Sequence, residues 1–225
     1  MRNTILLFLC VSSFVFAQVK TDSSVTDIYR PGDHELLLMP SAYTMEKGQS
    51  YFSDYEIFLI NYTYAITGRT QLSVLSLFFP IQAGFLQTFT MGIKQNYYRA
   101  PGVASAAWLT LTPWRGLLNI GNVLSLGSRG KSLHIGLGAL TARGTEHWEL
   151  TYLLGGRYDI SRKFSLLAEY TNSKTGFDTN SNGFLSLGIR FRGKDIAWDF
   201  AGVRPLNATY STLPFVPLIK ATVVF

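Results

Sequence analysis

The chain has 225 residues, of which 47% are hydrophobic and only 15% are charged, and its formal net charge is +6. A soluble domain usually carries roughly 25% charged residues, and nucleic-acid binding needs a concentrated basic patch that this sequence lacks. Beyond the N-terminus, no apolar run approaches the ~18 residues of a membrane-spanning helix. An apolar chain without such a helix predicts a β-barrel whose outer face contacts lipid.

The N-terminus has the pattern of a secretory signal peptide. Arg2 gives a positive start, an apolar stretch runs from Thr4 to Phe16, and the small residue Ala17 precedes a polar segment. We therefore predict that residues 1–17 are cleaved after Ala17 during export.

The single cysteine, Cys10, lies inside this signal peptide. It follows Leu9, whereas a lipidated cysteine needs a small residue before it, so we predict neither lipidation nor thiol chemistry in the mature chain. Residues 18–34 are polar with little periodicity. We expect them to form a flexible periplasmic lead-in to a barrel over residues 35–225.

Two-residue alternation is the main structural signal, because side chains at i and i+2 of a strand share a face. Near residue 190, Leu187 and Ile189 alternate with Arg190 and Arg192. In a membrane barrel the apolar side contacts lipid and the arginines point into the lumen. The predicted strands are 35–43, 50–66, 70–80, 84–97, 102–112, 116–126, 131–142, 148–159, 163–172, 183–192, 195–203 and 218–225.

These segments predict an all-β fold, a single up-and-down antiparallel transmembrane barrel of about twelve strands, with ten or fourteen as alternatives. If both termini are periplasmic, every even-to-odd connection is periplasmic and should be short. The tight turns at 67–69, 127–130, 161–163 and 193–194 all fall there. The two longest connections, 173–182 and 204–217, fall on the external side.

Following the alternation places a set of ionisable side chains in the lumen. Arginine binds carboxylates in a bidentate manner, so facing strands could build a paired ladder. This network is either a charged constriction that selects small polar solutes or a salt-bridged plug that transports nothing. Its predicted members are Asp54, Glu56, Glu149, Arg157, Asp159, Glu169, Arg190, Arg192, Asp195 and Asp199.

Other combinations of residues are weaker evidence for a functional site. Ser132 and His134 share a face, but catalysis needs a nucleophile and an orienting partner in contact with the histidine, and the sequence reveals neither. The glycines around Gly136 lie in a strand-like run with no helix after it, which argues against a phosphate loop. The three histidines lack metal-ligand spacing. We therefore predict no catalytic residue, cofactor or metal.

The C-terminal strand, Ile219–Phe225, places alternate apolar residues on the presumed lipid face and ends in phenylalanine. With the signal peptide, the alternating strands and the aromatic-rich strand ends, it resembles bacterial outer-membrane β-barrels of the porin-like, or "outer membrane protein beta-barrel", type. The segments 39–48 and 64–72 resemble other barrels of this kind. The resemblance implies location in a Gram-negative outer membrane and recognition of Phe225 by the barrel-assembly machinery. It supplies no catalytic residues.

The predicted function is a narrow porin-like channel for small polar solutes, in contact with outer-membrane lipid. The alternatives are a non-conducting structural or adhesion barrel that acts through loops 173–182 and 204–217, and an outer-membrane lipid-modifying enzyme. A soluble β-sandwich is a further alternative, but it leaves the scarce charge and the terminal Phe225 unexplained.

Overall fold

The computed structural model describes residues 30–56, 58–77, 85–145, 147–172, 183–206 and 215–225. These residues contain twelve β-strands and one short helix, α1, at Phe85–Thr88. The strands are β1 (Ser50–Tyr55), β2 (Leu59–Thr67), β3 (Thr70–Leu77), β4 (Thr90–Ala100), β5 (Val103–Thr112), β6 (Leu117–Ser128), β7 (Lys131–Thr141), β8 (Glu149–Asp159), β9 (Phe164–Thr171), β10 (Phe184–Arg192), β11 (Ile196–Pro205) and β12 (Val216–Val224). No helix in this part of the chain is long and apolar enough to cross a membrane.

The strands form one closed antiparallel barrel in which each strand pairs with its neighbours in the sequence. β1 pairs with β12 to close the ring, with Tyr51 opposite Val224 and Tyr55 opposite Lys220. Closure leaves no unpaired sheet edge, which is the condition for a β-structure to exist in lipid. The predicted fold class, an up-and-down barrel of twelve strands, is confirmed.

The two faces of the wall differ as the alternation predicts. In β10, Leu187 and Ile189 are exposed on the outer face, whereas Arg190 and Arg192 are buried on the inner face. β11 repeats the pattern, with Trp198 outside. Apolar side chains thus form the outer surface of the wall, and most of its polar side chains point into the interior.

The connections differ between the two ends of the barrel. At one end, which we call the short-turn end, the turns are 68–69, 101–102, 129–130, 160–163 and 193–195. At the opposite, long-connection end, they include 142–148, 172–183 and 206–215. The prediction that even-to-odd connections are short is confirmed. Loop 173–182 and residues 207–214 of loop 204–217 lie outside the described residues.

The first predicted strand is wrong. Residues 35–43 are not part of the wall, and the predicted strand 50–66 is two strands, β1 and β2, joined by a turn at 56–58. This turn contains no glycine, proline or asparagine, the usual turn residues, and Glu56 in it has a positive φ of 57°. The number of strands stays at twelve because one predicted strand is lost and another is divided.

Residues 30–45, which we call the lumenal segment, lie inside the barrel. Its first residues belong to the predicted lead-in, and Asp33 and His34 are almost fully buried there. The predicted signal peptide 1–17 and residues 18–29 of the lead-in lie outside the described residues.

Candidate functional site

The lumenal segment enters the barrel from the short-turn end, reverses direction and returns to β1. Glu35 and Pro40 form an isolated antiparallel bridge around the reversal. On the returning arm, the Thr44 hydroxyl donates to the carbonyl of Gly68 at 2.7 Å, and Gly68 lies in a short turn. The tip of the segment, residues 36–39, therefore lies in the lumen, beside the middle of the strands.

Lysines of the wall bind carbonyl groups of the segment. Lys94 donates to the carbonyls of His34, Ser41 and Tyr43 at 3.0, 3.2 and 2.9 Å. An ammonium group has three donors and no acceptor, so this arrangement uses its full capacity. Lys94 thereby fastens the entering arm and the returning arm to the same point of β4.

Two further cations bind the tip from β10 and β12. Arg190 donates to the carbonyls of Gly32, Glu35 and Leu36, the last at 2.6 Å. Lys220 donates to the carbonyls of Leu36 and Leu37 at 2.9 and 2.8 Å. These carbonyls would otherwise be buried without partners, which is unfavourable.

Glu169 of β9 binds the opposite side of the tip. Its carboxylate accepts hydrogen bonds from the backbone N–H groups of Leu37, Leu38 and Met39, at distances of 2.9 to 3.1 Å. Consecutive N–H groups that converge on one anion form a strong, charge-assisted site. The tip is therefore held through both its carbonyl and its N–H groups.

An ion cluster surrounds the tip. Arg190 binds Asp199 through two hydrogen bonds, at 2.6 and 2.8 Å. Lys220 lies 3.2 Å from Asp199 and 3.2 Å from Glu35, and Glu35 also accepts a hydrogen bond from Tyr55. Such pairs are stable in a low-dielectric interior only when their remaining donors and acceptors are satisfied, as they are here.

A second cluster lies nearer the short-turn end. Asp33 of the segment pairs with Arg157 and lies 3.6 Å from Arg129. Asp159 pairs with Arg157 at 3.0 Å and with Arg192 at 3.3 Å. Arg30 also reaches Asp159, at 3.0 Å, so the start of the segment is tied to the rim.

The carboxyl groups of the segment are ionised in this setting. Burial alone would raise the pKa of Asp33, but the guanidinium groups of Arg157 and Arg129 hold it below its ordinary value. Burial would likewise raise the pKa of Glu35, yet the Lys220 ammonium keeps it well below the ordinary range. Burial lowers the pKa of His34 to about 4, so this ring is neutral at neutral pH.

Glycines of the wall make room for the apolar tip. Leu36 and Leu37 are almost fully buried and pack in a cluster with Leu167. A Cβ atom at Gly155 would collide with the side chain of Leu36, and one at Gly188 would lie 3.1 Å from that of Leu37. Gly155 and Gly188 therefore leave the space that the two leucines occupy.

Six of the ten predicted lumen residues lie in the lumen, where they contact the segment or one another. They are Arg157, Asp159, Glu169, Arg190, Arg192 and Asp199. Their functional role stays a prediction.

The structure does not bring the other four together. Asp54 lies on the outer face of β1, opposite Ala221, because Tyr51, Ser53 and Tyr55 take the inner face. Glu56 is exposed in that turn, and Asp195 is exposed in turn 193–195, so neither belongs to a strand face. Glu149 is exposed as the first residue of β8, at the long-connection end.

Sequence reasoning missed six charged residues that take part in the two clusters and in the contacts described above. They are Arg30, Asp33, Glu35, Lys94, Arg129 and Lys220. Lys220 could have been found, because it alternates with Ile219 and Ala221 in β12. Asp33 and Glu35 carry no periodic signal that would place them inside a barrel.

The candidate serine–histidine pair is a buried polar contact beside the segment. The two ring nitrogens of His134 bond to the hydroxyls of Ser125 and Ser132 at 2.7 and 2.8 Å. Ser125 also accepts a hydrogen bond from the N–H of Ala42. The histidine thus supports a serine that holds the segment. No group of three or more potential metal ligands occurs among the described residues.

Phe225 follows β12, the strand that pairs with β1 to close the barrel. Its backbone exchanges hydrogen bonds with Ser50, at 2.9 and 3.2 Å, and its side chain is 71% exposed. Its role as an assembly signal stays a prediction.

No protein-family model matches the chain, and no curated protein matches it. Among solved structures, it is similar to a mutant porin of Rhodobacter blastica, with 15% identity, a TM-score of 0.41 and coverage of 74% of this chain. An engineered protein with asymmetric conductivity gives the same values. Salmonella typhi OmpF in complex with daunomycin has 10% identity, a TM-score of 0.40 and coverage of 75%. The chain spans 55% of the length of the first two and 62% of the third. The barrel assignment rests on the strand pairing itself.

Proposed function

We propose that this protein is a porin-like outer-membrane barrel whose passage is closed at rest by its own lumenal segment, residues 30–45. The observation that carries the proposal is the binding of the segment's backbone by wall groups on several sides. Lys94, Arg190 and Lys220 bind its carbonyls, and Glu169 binds three of its N–H groups.

Location in a membrane follows from the outer face. A soluble monomer rarely exposes a continuous apolar patch larger than roughly 600 Å², whereas this barrel exposes large apolar side chains along most of its strands. Examples are Tyr62, Ile93, Ile135, Trp198 and Ile219. In outer-membrane barrels the short turns face the periplasm and the longer loops face outward. On this basis the lumenal segment enters from the periplasmic side.

A solute cannot cross the short-turn half of the lumen unless the segment moves. Breaking one buried ion pair on one side costs roughly 3–5 kcal/mol, and the segment is held by Asp33 and Glu35 as well as by its backbone. The lining that would remain after release carries more cations than carboxylates. Its cations include Lys94, Arg190 and Lys220, and its carboxylates include Asp199 and Glu169. An opened passage would therefore favour anions.

Conductance in a planar lipid bilayer tests the proposal. We expect the refolded wild-type protein to insert without a stable unit conductance. Glu169→Gln removes the anion that binds three N–H groups, so it should loosen the tip and produce frequent, anion-selective openings. Lys94→Met should have the same effect, because it removes the ammonium group that binds carbonyls of both arms.

The matched control is Glu149→Gln, the same chemical change at an exposed rim residue. Like the wild type, this variant should show no stable unit conductance. Folding of each variant is checked by heat-modifiable mobility on a gel. A wild-type protein that conducts through large, permanently open steps would contradict the proposal.

The rival function is a non-conducting barrel that acts through its external loops, 173–182 and 204–217. The dense bonding of the lumenal segment is equally compatible with it. If Glu169→Gln and Lys94→Met both fold and both stay silent, this second function is favoured.

A further inference from the structure

The lumen is not completely filled. Between the tip of the lumenal segment and the long-connection end lie two cavities of about 250 and 280 Å³. Both are bounded by Leu38 and Pro40 of the segment and by Trp108 and Asn119 of the wall. The segment thus forms the floor of these cavities.

The lining of the cavities combines apolar side chains with uncharged polar groups. Its hydroxyl and amide side chains include Asn61, Ser73, Thr90, Thr110, Asn119 and Thr151. The charged groups that line the cavities already have partners: Lys94 binds three carbonyls, Glu35 is paired with Lys220, and Glu169 binds three N–H groups. A charged solute would find no unused counter-ion among these groups.

Three side-chain amide atoms that line the cavities have no hydrogen-bond partner among the described residues. They are Oδ1 of Asn61, Nε2 of Gln71 and Oδ1 of Asn119. Asn61 is 8% exposed and Gln71 is 2% exposed, so bulk water does not compensate for the missing bonds. Unpaired buried polar groups are rare in native proteins and call for an explanation. A ligand that both donates and accepts would satisfy all three.

An aromatic ring completes the lining. Trp108 borders both cavities, and it fits against the wall because a Cβ atom at Gly121 would collide with its ring. Gly138 supports the same ring, with an added Cβ only 3.3 Å away. An aromatic surface with a few oriented polar groups is the usual composition of a small-molecule site.

We propose that these cavities bind a small uncharged polyhydroxy solute of monosaccharide size. Its hydroxyl groups donate to the oxygens of Asn61 and Asn119 and accept from the nitrogen of Gln71, and its carbon skeleton packs against Trp108. The site rests on the proposed function in one respect, because the closed lumenal segment supplies its floor.

Calorimetric titration of the refolded chain in detergent micelles tests this inference. The probes are D-glucose, D-galactose and D-mannose, and D-gluconate is the charged analogue. We expect saturable binding of at least one hexose and about tenfold weaker binding of gluconate, because its charge would be buried without a partner. Gln71→Leu and Asn119→Leu should each weaken hexose binding about tenfold, through the loss of one hydrogen bond.

Two matched controls make the same substitutions elsewhere. Gln95→Leu changes an exposed glutamine that bonds to Thr70, and Asn122→Leu changes an asparagine that bonds to Tyr97. Both should bind the hexose like the wild type. The inference is overturned if none of the three hexoses binds saturably, if gluconate binds equally well, or if the controls lose binding as the cavity variants do.

Conductance of the same preparation separates the two proposals. A silent barrel that binds no hexose contradicts only the ligand site. A permanently conducting barrel that binds a hexose contradicts only the closure by the lumenal segment.

Discussion

Arg190 joins the barrel wall to the lumenal segment through one side chain. It forms two hydrogen bonds with Asp199, and its other donors reach three carbonyls of the segment. Its position explains why a charged group can be fully buried, because every part of the guanidinium group has a partner.

Arg190→Ala should therefore destabilise the protein strongly. The substitution leaves buried carbonyls unpaired and removes one of the two cations that face Asp199, and we expect a loss of about 3–5 kcal/mol. The measurement is urea-induced unfolding in lipid vesicles. The control Arg204→Ala changes an exposed arginine of β11 and should cost under about 0.5 kcal/mol. Equal stability of the two variants would show that Arg190 does not hold the segment.

The inward placement of Arg190, Arg157 and Asp199 could be predicted from the sequence, because each lies in a strand with regular alternation. The placement of Asp54 could not, because both faces of β1 mix polar and aromatic side chains: Tyr51, Ser53 and Tyr55 lie on one face, and Ser50, Phe52 and Asp54 lie on the other. Alternation in such a strand does not indicate which face contacts lipid.

The lumenal segment is an element whose conformation depends on distant parts of the chain. Its run of apolar residues at 36–39 is compatible with a buried strand, which is why sequence analysis predicts one over 35–43. What determines its position is contact with Lys94, Glu169 and Lys220. Such long-range contacts leave no periodic signal in the segment itself.

A matched pair of glycines tests the fit of this element. Gly155 faces the lumen, where an added Cβ meets Leu36, whereas the nearest atom to a Cβ at Gly156 is a backbone oxygen at 3.8 Å. Gly155→Val should overpack the lumen and destabilise the protein by about 1–3 kcal/mol. Gly156→Val should change the unfolding free energy little. The result to be measured is the difference between the two urea unfolding curves, and its absence would refute the close packing of the tip.

At the scale of the whole molecule, the lumen is divided along its axis. The half near the short-turn end holds the ion clusters of Asp33, Asp159 and Asp199 with their arginines, and these bind the lumenal segment. The half near the long connections holds the two cavities, whose lining combines apolar and uncharged polar side chains with Glu35, Lys94 and Glu169 beside the segment. In the proposals above, the ion clusters keep the passage closed and the cavities bind the solute.

The docking of the lumenal segment is the central claim, and amide hydrogen exchange measured by mass spectrometry on the barrel in lipid nanodiscs tests it most directly. The N–H groups of residues 37–39 are bound by Glu169, and that of Ala42 is bound by Ser125. We expect peptides that cover residues 36–42 to exchange as slowly as those from β9 and β10. Exchange at the rate of an unstructured peptide, with the strands still protected, would contradict the account.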